Sequence, residues 1–100
     1  MTMQLKAGAR VFDAARYIET DDDARVFLAE AFATNDPAFI AESIGVVARA
    51  RGMTELATKT GLSRQSLYKS LSAEGRPELP TLIKVLTALG VQLTPTALAG

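Results

Sequence analysis

Residues 53–72 read MTELATKTGLSRQSLYKSLS, and their spacing predicts two short helices joined by a tight turn, the arrangement of a helix-turn-helix. Ala57 falls in the middle of the first helix, where only a small side chain lets a second helix cross closely. Gly61, four residues on, falls where the first helix stops and the chain turns left-handed, a conformation that costs a non-glycine residue about 1 kcal/mol or more. Ser63 has the place and chemistry of an N-cap for the second helix, its hydroxyl oxygen accepting a backbone N–H of the first turn. Leu56, Leu62, Leu67 and Leu71 supply the apolar contacts that lock the two helices together. The polar face of the second helix is then Arg64, Gln65 and Lys69, residue types that read base edges and bind phosphates. Tyr68 falls between that face and the core.

Working outward from the motif, the chain reads as helical almost throughout. Residues 1–10 show no periodicity and read as an N-terminal arm, and Phe12 to Glu19 as a short helix presenting Phe12, Ala15 and Ile18. Thr20 or Asp21 caps a helix reaching about Ala33, with Asp21, Asp22 and Asp23 at the positive end of its dipole and Ala24, Phe27, Leu28, Ala31 and Phe32 as its apolar stripe. These carboxylates suit a helix start and do not form a site. Asp36 followed by Pro37 opens a further helix, since proline at the first helical position forfeits an N–H that has no partner there. That helix buries Ile40, Ile44 and Val47 and ends at Gly52. After the turn AEGRPELP, interrupted by Gly75, Pro77 and Pro80, the segment TLIKVLTALG repeats Leu82, Val85, Leu86 and Leu89 until Gly90 stops it. The tail VQLTPTALAG alternates at first and is broken by Pro95, so it reads as a short edge strand or an irregular end. The fold expected is all-α: a small five-helix bundle, one domain over 11–94 with the motif at 53–72, and a C-terminal tail over 95–100.

Composition narrows the function. With 100 residues and neither Cys nor His, the chain lacks disulfides, zinc-finger ligands, thiol nucleophiles and imidazole bases. It offers no nucleophile–base pair and no phosphate-cradling glycine-rich loop, so the reading is a non-enzyme with no metal and no cofactor. No apolar run approaches the 18 or so residues needed to span a bilayer, and no signal-peptide pattern opens the chain; a cytoplasmic protein with no membrane contact is expected. The formal net charge is zero, but it is unevenly spread. Residues 1–45 carry four basic and eight acidic side chains, whereas 46–100 carry seven basic and three acidic ones. A basic half that holds the motif can approach DNA while the acidic half stays off it, although ordinary mixed surfaces would give similar counts.

FDAARYI at 12–18, the acidic helix start, IGVVARARGMTELATKTGLSRQSLYKSLS at 44–72 and TLIKVLTALGVQLT at 81–94 together resemble the addiction-module antidote proteins, the HigA-like antitoxins of bacterial type II toxin–antitoxin pairs. The resemblance covers about residues 11–94, and the arginine-bearing lead-in to the motif is its most specific part. It implies a Cro/C1-type helix-turn-helix protein that neutralises a RelE/ParE-like toxin and binds operator DNA to repress the operon encoding both. It also implies that Arg64, Gln65 and Lys69 face the major groove and that Thr54 and Lys59 lie near phosphates; Arg51, Ser63 and Ser66 are expected beside them as further phosphate contacts. An acidic helical half would suit a basic toxin, with Phe12, Tyr17 and Ile18 as anchors; the same three side chains could equally cover the bundle core. A polar cap is expected before the last helix, where Leu79-Pro80-Thr81 stands instead. One reading helix touches few bases, so a homodimer is expected, joined by the last helix or tail through Leu86, Leu89, Val91 or Leu93. A stand-alone Cro/C1-type repressor without a toxin partner remains the alternative.

Overall fold

The structure, a computed structural model, describes residues 14–98. The arm expected over 1–10, together with Phe12, lies outside these residues. A 3₁₀ turn at Ala14–Tyr17 stands where a short helix is expected, and is followed by five α-helices: α1 Asp21–Ala33, α2 Pro37–Arg51, α3 Met53–Thr60, α4 Arg64–Ser70 and α5 Leu79–Ala88.

Local chemistry fixes most of these boundaries. Thr20 caps α1 through a reciprocal pair of hydrogen bonds: the Asp23 N–H donates to Thr20 Oγ1 at 3.0 Å and the Thr20 N–H donates to Asp23 Oδ2 at 3.1 Å. This capping box satisfies donors that the first helical turn would otherwise leave without partners. Asp36 does the same for α2, its Oδ1 accepting from the N–H groups of Ala38 and Phe39 at 3.1 and 3.3 Å, with Pro37 in the first turn. Helix α3 ends at Gly61, whose φ of 76° and ψ of 11° are left-handed and whose N–H donates to the Ala57 carbonyl at 2.9 Å. Ser63 then caps α4, Oγ accepting from the Ser66 N–H at 3.0 Å. The turn, the glycine and the cap all stand where the spacing of 53–72 puts them.

Helix α2 is the centre of the bundle. It packs against the 3₁₀ turn, α1, α3 and α4, while α5 lies against α3. Leu28 of α1, Ile44 and Val47 of α2, Leu67 of α4 and Val85 and Leu86 of α5 are the largest fully buried side chains. Burial of each contributes about 1.5–3 kcal/mol relative to exposure. Phe27, Phe32, Ile40, Leu62 and Leu82 are partly buried at the margin of this core.

Three features differ from the sequence reading. Helix α5 starts at Leu79 and takes Pro80 into its first turn, with Glu78 at the N-cap making no side-chain cap bond; Pro80 therefore opens the helix and does not interrupt the turn before it, because a first-turn N–H has no intrahelical partner to lose. Residues 91–98 have no regular secondary structure, and no strand occurs among the described residues. With no neighbouring strand to pair with, the alternation of Val91 and Leu93 forms no ladder. Finally, Leu86 and Leu89 point into the core and offer no surface to a second copy; the exposed apolar side chains of α5 are Leu79 and Ile83, with Leu93 exposed in the tail.

Candidate nucleic-acid interface

The outer face of α4 is built by what its inner face does. Leu67 is fully buried and Leu71, at the C-cap, is nearly so. With 3.6 residues per turn, anchoring these positions turns the first helical turn and position 69 away from the core. Arg64, Gln65, Ser66, Tyr68 and Lys69 are all exposed. A second anchor is backbone on backbone: a Cβ placed on Gly45 of α2 would overlap the Leu71 carbonyl oxygen. Only glycine lets the end of α4 approach α2 so closely.

None of the three ion pairs among the described residues includes Arg64 or Lys69. Arg64 is instead placed over the ring of Tyr68, its guanidinium carbon 5.9 Å from the ring centroid. Sequence reasoning left Tyr68 between face and core; it is 45 % exposed. The signal was an arginine and an aromatic four residues apart on a helix, a pairing that puts the two on one face.

The remaining polar candidates lie on other elements or at the start of α4. Thr54 is exposed in the first turn of α3, its carbonyl accepting from Thr58 Oγ1 at 3.1 Å. Lys59 pairs with Glu55 at 3.4 Å, both ends well exposed, a contact weak enough to yield to a phosphate. Ser63 spends an oxygen lone pair on the cap but keeps its hydroxyl hydrogen to donate. Arg51 is different. Its guanidinium donates to the Glu19 carbonyl at 3.1 Å and to Asp21 Oδ1 at 2.6 Å, which ties the end of α2 to the start of α1, so the structure engages it inside the protein. Beside it, a cleft of about 300 Å³ is lined by Asp21, Arg51, Glu55 and Lys59 among others. Charges of both signs line it, so it presents no single-sign field to an anion.

The proposed toxin anchors separate as well. Ile18 is 6 % exposed and belongs to the core cluster, so it covers the bundle core and presents little surface to a partner. Tyr17 is 66 % exposed. The three aspartates at the start of α1 have local tasks: Asp21 holds Arg51, Asp22 holds Arg25 at 2.9 Å, and Asp23 caps the helix. Hydrogen bonds from the Glu19 amide, then from the Thr20 amide, hold the Asp23 carboxyl below the usual 3.8 of an aspartate, and the charge of Arg51 adds to the effect.

No solved structure matches the chain. A Haemophilus influenzae protein described as uncharacterized is 37 % identical over 92 residues, covering 92 % of this chain and 91 % of the relative. A family model described as "Probable addiction module antidote protein" matches residues 8–97. That match takes in the 3₁₀ turn, all five helices and the exposed face of α4, and with it the chain belongs to the family of probable addiction module antidote proteins.

Proposed function

We propose that this protein is an antitoxin with two contacts: it binds and neutralises a RelE/ParE-like toxin, and through α3 and α4, used as a Cro/C1-type helix-turn-helix, it binds operator DNA and represses the operon encoding the pair. The observation that carries the DNA half is the outer face of α4, where Arg64, Gln65 and Lys69 stand exposed on a capped helix whose opposite side is anchored by Leu67. Polar groups that no ion pair among the described residues engages, on a helix anchored from its other side, are ready to exchange water for base edges. Thr54, Lys59, Ser63 and Ser66 would flank them as phosphate contacts. Arg51 would join them only by leaving Asp21. The antidote family supports the toxin half, for which Tyr17 and Phe12 are the candidate anchors. The protein would act in the cytoplasm as a homodimer, so that two reading helices meet half-sites about one helical turn apart. Leu79, Ile83 and Leu93 are the exposed apolar side chains nearest to hand for that contact. The domain is about residues 11–94.

One experiment addresses both contacts. The full chain and a variant with Arg64, Gln65 and Lys69 changed to Ala are titrated on the operon's own upstream duplex and on random duplex, and each is co-expressed with the neighbouring reading frame in a growth-rescue assay. The variant should bind the upstream duplex no better than random DNA, a loss of about a thousandfold or more, while growth rescue is retained. A wild-type chain that does not distinguish the two duplexes would overturn the repressor half. Failure of the wild-type chain to rescue growth or to retain the neighbouring product in a pull-down would leave the stand-alone repressor.

A further inference from the structure

The reading face leaves one side chain unexplained. Tyr68 neither fills the core, as its neighbour Leu67 does, nor belongs to the polar types that read bases, yet it stands 45 % exposed in the middle of α4 beneath the guanidinium of Arg64. We infer that Tyr68 is a positioning residue: its ring is the platform that holds the Arg64 guanidinium over the outer face of α4, in the pose from which it meets a guanine edge. This rests on the reading of α4 as the DNA-contacting helix and adds a specificity-determining residue to it.

Three observations converge on the role. Arg64 is the first residue of α4 and Tyr68 lies four residues on, so the two side chains are surface neighbours one above the other. Among the described residues Arg64 has no carboxylate to fix its direction, whereas Arg25, Arg51 and Lys59 each have one. A cation at the first position of a helix also meets the positive end of the dipole, which pushes it away from the axis. The negative face of an aromatic ring one turn later opposes that push and gives the guanidinium a definite seat.

The gain is entropic. An unrestrained arginine surrenders several side-chain rotations when it forms two parallel hydrogen bonds to guanine O6 and N7. A ring with only two torsions of its own, rooted on a helix anchored by the fully buried Leu67, limits those rotations before DNA arrives. The hydroxyl of Tyr68 has no part in this, which separates the platform from a direct contact of Tyr68 with the DNA backbone.

The test is a double-mutant cycle on the full chain, read as affinity for the operon's upstream duplex and for random duplex, with helicity and Tm monitored for every variant. Tyr68→Ala should weaken upstream binding about two- to fivefold, the size of an exposed cation–π contact, and leave random-duplex binding unchanged. Tyr68→Phe should match the wild type. In an Arg64→Ala background, Tyr68→Ala should make no further difference. Equal losses in both backgrounds, or a loss on Tyr68→Phe equal to that of Tyr68→Ala, would mean that Tyr68 acts on DNA by itself and would overturn the platform. A second readout needs no DNA: the δ-methylene protons of Arg64 should be shifted upfield by the ring in the free protein, keep that shift in Tyr68→Phe and lose it in Tyr68→Ala. Absence of the shift in the wild type overturns the inference outright. A wild type that binds the two duplexes alike defeats the DNA reading and the platform together, whereas preference for the upstream duplex without coupling condemns the platform alone.

Discussion

The start of α1 and the outer face of α4 are both dense in polar and charged side chains, but they are wired differently. At the start of α1, Asp21 reaches Arg51, Asp22 reaches Arg25 and Asp23 closes a capping box. On α4, Arg64 and Lys69 have no carboxylate partner among the described residues, and Arg64 stands over an aromatic ring. Counting charges along the sequence treats the two regions as mirror images, an acidic half and a basic half. The structure separates charges that hold the fold from charges that stand apart from it, and only the second kind is free to recognise something else. The acidic excess of the first half is therefore a weaker argument for a basic partner than its count suggests, since its densest cluster is committed internally.

The largest expected effect concerns how α4 is held. Gly45→Ala should destabilise the fold by about 1–3 kcal/mol, because the added Cβ meets the Leu71 carbonyl and two helices must separate to admit it. Gly61→Ala should cost only about 1 kcal/mol, since a Cβ there has nothing within 4 Å and the penalty is left-handed strain alone. Chemical denaturation of the two variants checks the order; a milder Gly45→Ala would mean that the approach of α4 to α2 is loose.

The contrast in wiring sets the next effect. Arg51→Ala should lower stability by about 1 kcal/mol, the upper end for a partly exposed pair, because it releases Asp21 and the Glu19 carbonyl at once. Arg64→Ala should change Tm by less than the equivalent of about 0.5 kcal/mol, because loss of the contact with the Tyr68 ring is offset by removal of a cation from the positive end of the helix dipole. Equal losses for the two would erase the distinction between the regions.

Acid should bring out the smallest effect. The Asp23 carboxyl titrates below its usual 3.8 in the folded protein, so its contribution is complete above that value and is lost as pH falls through the lower, folded one. The Asp23→Asn side chain still offers an oxygen to the Glu19 and Thr20 amides but carries no charge. The wild type should therefore lose Tm more steeply than this variant as pH drops below about 4, and parallel curves would show that Asp23 is no part of the acid response.

Much of this architecture is legible in the sequence because it is local. Gly61, Ser63, Thr20 and the Asp36–Pro37 pair each act within four residues of themselves, through backbone conformation or a cap, and their types announce it. What was not legible depends on partners far along the chain. Nothing near Arg51 says that its guanidinium will find Asp21, thirty residues earlier. Gly45 looks like a mere flaw in a helix until the end of α4 is laid against it. Ile18 carries the same signature whether it joins a core or greets a partner, and the buried faces of Leu86 and Leu89 show only once α5 is packed on α3. Tyr68 was placed on the right helix; that it serves Arg64 is a matter of which side of Leu67 it falls.

The approach of α4 to α2 at Gly45 also bears on how such a protein can diverge among its descendants. Because the end of α4 meets α2 there main chain on main chain, that part of its seating does not rest on which apolar side chains fill the surrounding core. Conservative changes elsewhere in the core leave that approach in place as long as Leu67 still anchors the helix, and the outward residues can be exchanged without disturbing what holds it. A lineage that keeps this glycine and that anchor can therefore vary the exposed residues one at a time, each variant inheriting the same presentation of whatever it displays.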